Sequence, residues 1–261
     1  MTKIHASAII DPKAELGADV EVGPYAIIGP EVRIGARTVV GPHVVIAGRT
    51  TIGCDNRFFP SSSIGAMPQD ISHNGEVTAL EIGDRNTVRE FCTLNTGTFK
   101  EDGVTRVGSD NWIMAYVHIA HDVQLGSHTI LANGVTFAGH VRVGDWAVIG
   151  GLTGVHQFVR IGAHAMVGFQ GHVAQDVAPF VTVDGHPLAT RAVNLVGLKR
   201  RGFGDERIAV IRKMHKLIFR EALPLEQARA AIEGLRGQGG DEDIALMHDF
   251  LGQVGKRGLV R

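Results

Sequence analysis

The stretch VGPYAIIGPEVRIGARTVVGPHVVIAG, residues 22–48, decides the fold. An aliphatic residue opens every six-residue unit of this stretch, and glycine or alanine follows it. An amphipathic helix needs apolar residues about every 3.6 positions and a half-buried strand needs them at every second position, so a period of six fits neither alone. Tandem hexapeptides are typical of a parallel β-helix, in which each unit supplies one short strand and one corner.

The same six-residue frame covers most of the chain. It runs from Ile4 to about residue 57 and returns from Ile113 to about residue 178, after two interruptions. The first interruption, near 66–80, reads AMPQDISHNGEVTAL, and the second, near 99–106, reads FKEDGVTR. We interpret both as loops that leave the coil, and loops on a rigid scaffold commonly carry function.

After Pro179 the period of six ends and helical spacing begins. Apolar residues at helical intervals predict one helix with Asp205 as its N-cap, a second that starts at Pro224 and a third from about Asp241. The predicted fold class is therefore mainly β, with a parallel β-helix over residues 1–190 followed by a small C-terminal α-helical domain over 191–261.

Composition and charge exclude several classes of protein. The 261-residue chain has a net charge of −1, which gives no basic field for nucleic acid. Its two cysteines, Cys54 and Cys92, indicate a reducing compartment rather than a disulfide framework. We found no apolar run of about 18 residues and no secretory pattern at the N-terminus, so we expect a cytoplasmic protein without membrane insertion.

Two histidines and an aspartate stand together in YVHIAHDVQLG, residues 116–126. Hexapeptide-repeat proteins form triangular coils of three hexads, and similarity to that geometry implies that residues 18 apart lie one above another at a spacing of about 4.8 Å. This geometry predicts two neighbouring columns: His121, Gly139, Gln157 and Asp122, His140, Phe158. Neutral imidazole accepts a proton near pH 7, and an adjacent carboxylate can fix its tautomer. We therefore predict that His121 is a general base supported by Asp122.

Glycine at position 139 permits close approach, so its backbone N–H can face an oxyanion that develops beside His121. Neither Cys54 nor Cys92 lies near the two columns, and a covalent cysteine mechanism has no support. These features favour direct acyl transfer to a bound hydroxyl or amine.

Four runs, GSDNWIMAYVHIAHD, IGGLTGVHQFVRIGAHAMVG, AQDVAPF and GLKRRGF, closely resemble the UDP-N-acetylglucosamine O-acyltransferase family of hexapeptide-repeat enzymes. The resemblance spans nearly the whole chain. It implies a left-handed coil, although general crossover rules favour the right hand, and a homotrimer with active sites between subunits. The implied reaction is transfer of an (R)-3-hydroxyacyl chain from acyl carrier protein to the 3-hydroxyl of UDP-N-acetylglucosamine, the first step of lipid A biosynthesis. No cofactor and no metal are expected.

The resemblance also implies roles for single residues. His121 would deprotonate the sugar hydroxyl, Asp122 would support it and the Gly139 amide would contact the oxyanion. Asp70 in PQD would hold the sugar. The other substrate contacts would be His118, His140, His156, Gln157, Asn194, Arg200 and Arg201, with Lys199 and Arg200 suited to the acidic carrier protein. Phe169 stands where relatives that take long chains have glycine, which implies an acyl chain of about ten carbons.

Two alternatives stay open at this point. Ser72, Asn95 and Val196 replace a lysine, a histidine and a glutamate of the family pattern, so a related enzyme that acylates a 3-amino nucleotide sugar is one alternative. The other is a zinc carbonic anhydrase on the same scaffold, since such enzymes use three histidine ligands. His118 and His121 are three residues apart, a spacing that differs from that of the histidine pair in those carbonic anhydrases. The carbonic anhydrase is therefore the weaker alternative.

Overall fold

The computed structural model describes residues 2–261 and contains three long sheets of very short strands. Consecutive strands pass in rotation through sheets A, B and C, so three strands complete one coil. Neighbouring strands in each sheet are parallel, apart from one antiparallel pair at the end of sheet A. The predicted fold class, a left-handed parallel β-helix of hexapeptide repeats followed by a small α-helical domain, is confirmed.

The strands have the following bounds. Sheet A contains Lys3–Ile4, Glu21–Val22, Val39–Val40, Arg57–Phe58, Thr87–Val88, Trp112–Ile113, Ile130–Leu131, Val148–Ile149, Met166–Val167, Val181–Asp184 and Ala189–Val193. Sheet B contains Ile9–Ile10, Ile27–Ile28, Val45–Ile46, Ser63–Ala66, Thr93–Asn95, His118–Ile119, Thr136–Phe137, Gly154–Val155 and His172–Val173. Sheet C contains Glu15–Leu16, Val32–Ile34, Arg49–Ile52, Ala79–Ile82, Val104–Val107, Gln124–Leu125, Arg142–Val143 and Arg160–Ile161.

The aliphatic residue that opens each hexad fills the interior of the coil. Ile119, Leu125 and Leu131, from three successive strands, are buried. Burying such a side chain contributes about 1.5–3 kcal/mol relative to leaving it exposed. Because the pattern repeats, this contribution stabilises the whole three-sided prism that the sheets form. The residue before it in each strand points outward, because successive side chains of a strand face opposite sides.

At the corners between sheets, single residues adopt a left-handed backbone conformation with positive φ, and few of these corner residues are glycine. Corner AB carries Tyr25, His43, Ser61, Phe91, Tyr116, Gly134, Leu152 and Gln170; corner BC carries Asp122, His140 and Phe158; corner CA carries Asp19, Arg37, Asp55, Arg85, Asp110, His128, Trp146, His164 and Phe180. A left-handed conformation strains residues that have a Cβ. Contacts along each column offset part of this strain, as in the stacked rings of His128 and Trp146, whose centroids are 4.1 Å apart.

Both predicted loops leave the coil, but both differ in their bounds from the prediction: Ala66 belongs to the strand Ser63–Ala66, and Ala79 and Leu80 belong to the strand Ala79–Ile82. The first loop occupies residues 67–78, and the second loop occupies residues 96–103. The second loop begins at residue 96 rather than 99, and the predicted residues 104–106 belong instead to Val104–Val107, a strand of sheet C. It pairs with Ala79–Ile82 along its full length and buries Thr105, which explains the difference.

The helical domain contains α1 (Leu195–Arg200), α2 (Asp205–His215), α3 (Leu225–Glu233) and α4 (Asp241–Leu251), with a π-helical turn, Lys216–Arg220, continuing α2. Helix α1 was not predicted. The N-cap of α2 is Gly204 rather than Asp205, and the Asp205 carboxylate lies in the first turn, where it suits the helix dipole. The domain boundary at 190/191 stays a prediction. Within residues 2–261, every helix is too short or too polar to cross a bilayer.

Candidate active site

His121 and Asp122 lie at corner BC and contact each other directly. His121 Nδ1 is 2.9 Å from Asp122 Oδ2, and both residues are buried. Asp122 has a φ of 59°, and this left-handed turn accompanies its contact with the preceding histidine. A carboxylate only accepts hydrogen bonds, so Nδ1 donates and Nε2 keeps its lone pair. The pair therefore has the arrangement of a general base and its orienting carboxylate.

The Asp122 carboxylate is held by the second loop as well. The Thr98 N–H donates to Asp122 Oδ1 at 2.9 Å, and the Thr98 hydroxyl donates to Oδ2 at 2.5 Å. Burial opposes ionisation of Asp122, but the hydrogen bonds from His121 and Thr98 outweigh it and keep the pKa of Asp122 below its ordinary value. Asp122 is thus a fixed anion behind the histidine.

Asp70 approaches the other side of the same imidazole from the first loop. Its Oδ2 lies 3.9 Å from His121 Nε2, and only 9% of its side chain is exposed. Oδ1 accepts hydrogen bonds from the Ser72 N–H at 2.9 Å and from the Ser72 hydroxyl at 2.8 Å, while Oδ2 contacts Lys100 Nζ at 2.5 Å. The Lys100 contact, followed by the two from Ser72, holds the pKa of Asp70 far below its ordinary value.

Gly139 lies on the next coil, against the ring of His121. A Cβ at this position would be 2.2 Å from His121 Cε1 and 2.6 Å from Nε2, so any side chain would displace the imidazole. Within residues 2–261, no acceptor receives a hydrogen bond from the Gly139 N–H. A free N–H beside a basic nitrogen is the arrangement that stabilises an oxyanion.

His140 and His118 border this group. His140 stacks on Phe158 with a centroid distance of 4.5 Å and meets the His121 ring edge-on at 5.1 Å. Its buried ring nitrogens are 3.4 Å from Glu101 and 3.6 Å from Asp122, without hydrogen-bond geometry to either. His118 Nδ1 is 2.7 Å from the Thr93 hydroxyl, and burial, followed by the nearby His121, lowers the pKa of His118. His118 is therefore neutral at pH 7.

A metal ion is one alternative use of these groups. Single ligand atoms of His121, Asp122 and His140 lie within 4.8 Å of one another. The Asp122 oxygens, however, already accept hydrogen bonds from Thr98 and His121. Because hydrogen bonds account for this carboxylate, we assign no metal ligands, and the expectation of a site without metal stays a prediction.

The remaining predicted residues are distributed over all three corners. His156 and Gln157 lie on corner BC, above His121; His156 Nδ1 is 3.2 Å from the Gln157 carbonyl. Phe169 is 62% exposed beside corner AB. Asn194, Arg200 and Arg201 lie around corner CA, where the Asn194 amide donates to the His164 carbonyl and Arg200 is exposed on α1. The single chain therefore gathers Asp70, His118, His121, Asp122, Gly139 and His140, but not the residues of corner CA.

Arg201 is packed into corner CA. Its guanidinium lies 5.4 Å from the centre of the Trp146 ring and 3.4 Å from His164 Nδ1. Burial, followed by the charge of Arg201, lowers the pKa of His164 from its ordinary 6.5 to about 4. Between these two values the unfolded chain binds a proton that the folded chain does not.

Because of His164, we therefore expect the free energy of unfolding to fall as the pH drops from 6.5 towards 4. Replacing His164 with Phe removes the titrating group, and the same corner already carries aromatic residues at Trp146 and Phe180 with positive φ. The melting temperature of His164→Phe, followed from pH 7 to pH 4.5, should decline less steeply than that of the wild type. Parallel declines would contradict this assignment.

Sequence reasoning missed the residues of the second loop that build the site. Thr98 binds Asp122, Lys100 binds Asp70, and Glu101 lies 3.4 Å from His140 and 3.2 Å from Arg142. The available signal was a charged segment that interrupts the hexad frame. That signal locates a loop, but it does not show which side chain turns inward.

Comparisons with known proteins show which family the chain is similar to. A family model described as Udp N-acetylglucosamine O-acyltransferase, Domain 2, matches residues 176–260, and a bacterial transferase hexapeptide model matches residues 1–36, 13–48 and 105–139. Acyl-[acyl-carrier-protein]--UDP-N-acetylglucosamine O-acyltransferase from Leptothrix cholodnii is 71% identical over 265 residues, covering 100% of both chains.

Solved structures give the same result. UDP-N-acetylglucosamine O-acyltransferase from Moraxella catarrhalis superimposes with a TM-score of 0.95 at 40% identity, covering 99% of each chain. UDP-N-acetylglucosamine acyltransferase from Francisella novicida also gives 0.95, at 38% identity, covering 99% of this chain and 94% of the other.

Proposed function

The chain belongs to the UDP-N-acetylglucosamine O-acyltransferase family, and on this premise we propose that His121 is the general base of its reaction. The reaction is transfer of an acyl chain from acyl carrier protein to UDP-N-acetylglucosamine, the first step of lipid A biosynthesis. The observation that carries the proposal is the line Asp122, His121, Asp70, with Gly139 packed against the same imidazole.

The proposed mechanism uses only side chains and one backbone amide. His121 Nε2 takes the proton of the sugar 3-hydroxyl, and the oxygen attacks the thioester carbonyl carbon of an (R)-3-hydroxyacyl donor. The Gly139 N–H donates to the oxyanion of the tetrahedral intermediate. The C–S bond then breaks, the imidazolium returns its proton to the carrier thiolate, and the sugar ester remains. Asp122 keeps Nδ1–H oriented and stabilises the imidazolium.

The acceptor and the donor would meet at corner BC. Asp70, an ionised acceptor fixed by Ser72 and Lys100, suits a sugar hydroxyl. His118, His140, His156 and Gln157 line the same corner and would contact the rest of the nucleotide sugar. Lys199 and Arg200 are exposed on α1 and would attract the acidic carrier protein. We expect no cofactor, since the acyl group arrives already activated as a thioester.

The outer faces of the prism support a homotrimer. We call the outer surfaces of sheets A, B and C faces A, B and C. Face C is charged, with Arg33 paired to Glu15 and Arg106 paired to Glu81, as expected for a surface in water. Apolar residues are instead exposed on faces A and B and at corner AB: Ile9, Tyr25, Ile27, Phe91, Trp112, Tyr116, Ile130 and Leu152. Apolar surface of this extent is typical of a protein interface.

Packing of face A on face B of a neighbour places corner AB at a three-fold axis. Corner CA of one protomer then lies beside corner BC of the next. Asn194, Arg200 and Arg201 would thereby approach the His121 group of the adjacent protomer, which explains why a single chain separates them. Each active site would contain residues of two protomers.

This arrangement predicts complementation between two inactive variants. His121→Ala damages corner BC, and Arg201→Ala damages corner CA. When equal amounts of the two variants assemble at random into trimers, a site is intact if its corner BC comes from the Arg201→Ala chain and its corner CA from the His121→Ala chain. About a quarter of the sites meet both conditions. We expect light scattering to give three times the 27.9 kDa chain mass, and the co-refolded mixture to regain about a quarter of wild-type activity. An active monomer, or a mixture as inactive as its components, would contradict the shared site.

The acceptor is tested by comparing two sugars. UDP-N-acetylglucosamine and its analogue with a 3-amino group should be supplied with the same 3-hydroxyacyl carrier protein. We expect the hydroxyl acceptor to give the higher kcat/KM, in line with the name carried by the 71% identical relative. Preference for the amino sugar would favour the alternative raised by Ser72, Asn95 and Val196. A chelator such as EDTA should leave the activity unchanged.

A further inference from the structure

The Lys100–Asp70 pair lies at the face of His121 that would accept the substrate proton. Asp70 Oδ2 is 2.5 Å from Lys100 Nζ and 3.9 Å from His121 Nε2. The Asp70 side chain is 9% exposed, whereas half of Lys100 is in solvent. An isolated ion pair at a surface contributes little stability, so structure alone gives weak reason for this contact.

We propose that Lys100 is a positioning residue that neutralises Asp70, so that His121 Nε2 stays unprotonated and free to accept the substrate proton. This inference deepens the proposed function and rests on His121 as the base. An unpaired carboxylate at 3.9 Å would bind the imidazolium form of His121 and stabilise it. Lys100 also leaves Asp70 as an oriented acceptor, with Oδ1 held by Ser72.

Other charged and titratable groups also face His121, and these groups are the same in the wild type and in a variant that lacks Lys100. Asp122 contacts Nδ1 from the same corner, and His140 lies edge-on from the next coil, with Glu101 behind it. His118 precedes it on the strand of sheet B. Lys100 acts through Asp70, so its removal changes one charge at this side of the ring and leaves the Asp122 contact in place.

Lys100→Met tests the proposal by two readouts. The first is the titration of the His121 imidazole by NMR in the full-length protein, with the resonance assigned by its loss in His121→Ala. The second is the acid limb of kcat/KM for acyl transfer. We expect both midpoints to move to higher pH by at least about one unit, the lower end of the shift caused by an unpaired opposite charge within ~4–6 Å, which Asp70 becomes when Lys100 is removed.

Matched variants separate the electrostatic role from a loss of structure. Lys216→Met removes another exposed lysine, paired with Glu221 at 3.2 Å in the helical domain, and should leave both midpoints unchanged. Ser72→Lys in the Lys100→Met background returns a cation beside Asp70, because the Ser72 hydroxyl already contacts that carboxylate. It should restore both midpoints, as should Lys100→Arg.

The outcomes distinguish the two proposals. An unchanged NMR midpoint in Lys100→Met overturns the role of Lys100, whatever happens to activity. A shifted midpoint that Ser72→Lys fails to restore also overturns it. An NMR midpoint that moves while the pH–rate profile stays fixed supports Lys100 and instead removes His121 from the role of base.

Discussion

His121→Ala should lower kcat for acyl transfer by at least about 10²-fold, the usual contribution of a positioned general base. The imidazole is the group that offers a lone pair between Asp122 and Asp70, and its removal leaves the sugar hydroxyl without a proton acceptor. The fold should survive, because the interior of the coil is built from Ile119, Leu125 and other strand residues rather than from the corner.

The control is His248→Ala, which removes a half-buried histidine from α4, where its Nδ1 lies 3.3 Å from Asp249 Oδ1. It should retain wild-type turnover. Circular dichroism and light scattering should show both variants folded and assembled as the wild type. A folded His121→Ala variant with near-normal kcat would remove this residue from the mechanism.

The second large effect concerns the length of the acyl chain. Phe169 lies 48 residues after His121, about 2.7 coils or roughly 13 Å along the axis at ~4.8 Å per coil. An extended hydrocarbon advances about 1.3 Å per carbon, estimated from a ~1.52 Å carbon–carbon bond. The axial distance alone therefore corresponds to about ten carbons.

The structure adds a lateral component to this path. Phe169 lies beside corner AB and His121 lies at corner BC, so the route crosses face B over Thr136 and Gly154. Gly154 leaves open space, since no atom lies within 4 Å of a Cβ built there. The Phe169 ring lies against Gly151 at corner AB, since its Cε2 is 3.4 Å from a Cβ built on that glycine; we propose that this ring stops the acyl chain after about ten carbons.

We expect the wild type to use a ten-carbon 3-hydroxyacyl donor better than a fourteen-carbon donor, because four further methylenes would have no cavity. Phe169→Gly should reverse this preference by at least about tenfold, since even one methylene can change discrimination by 10-fold or more. Phe169→Leu is the matched variant and should fall between the two. A wild type that prefers fourteen carbons, or a Phe169→Gly variant with unchanged preference, would show that Phe169 does not limit the chain.

The periodic part of the molecule was predictable because one rule repeats. A coil of 18 residues placed Gly139 beside His121 and stacked His140 below Phe158, as the structure has them. The loops follow no period, so Thr98 and Lys100 had no predicted position relative to the carboxylates that they bind. Helix α1 escaped prediction because it is six residues long, contains Gly197 and depends on the Asn194 cap.

Corner CA shows a different limit. Arg201 contacts Trp146 and His164 within its own chain, and neither residue belongs to the His121 group. Its proposed place in the site depends on the neighbouring protomer. Patterns within one chain predict contacts within that chain, while residues that meet across a symmetry axis need the outer faces to be known.

The most direct test is to identify the product formed from UDP-N-acetylglucosamine and 3-hydroxydecanoyl acyl carrier protein. Mass spectrometry and NMR of the purified product should show one 3-hydroxydecanoyl group as an ester at the 3-oxygen of the glucosamine ring, with no acylated protein at any time. This outcome is expected for direct transfer to a hydroxyl deprotonated by His121. Acylation of another position, a covalent acyl-protein intermediate or the absence of any transfer would contradict the account.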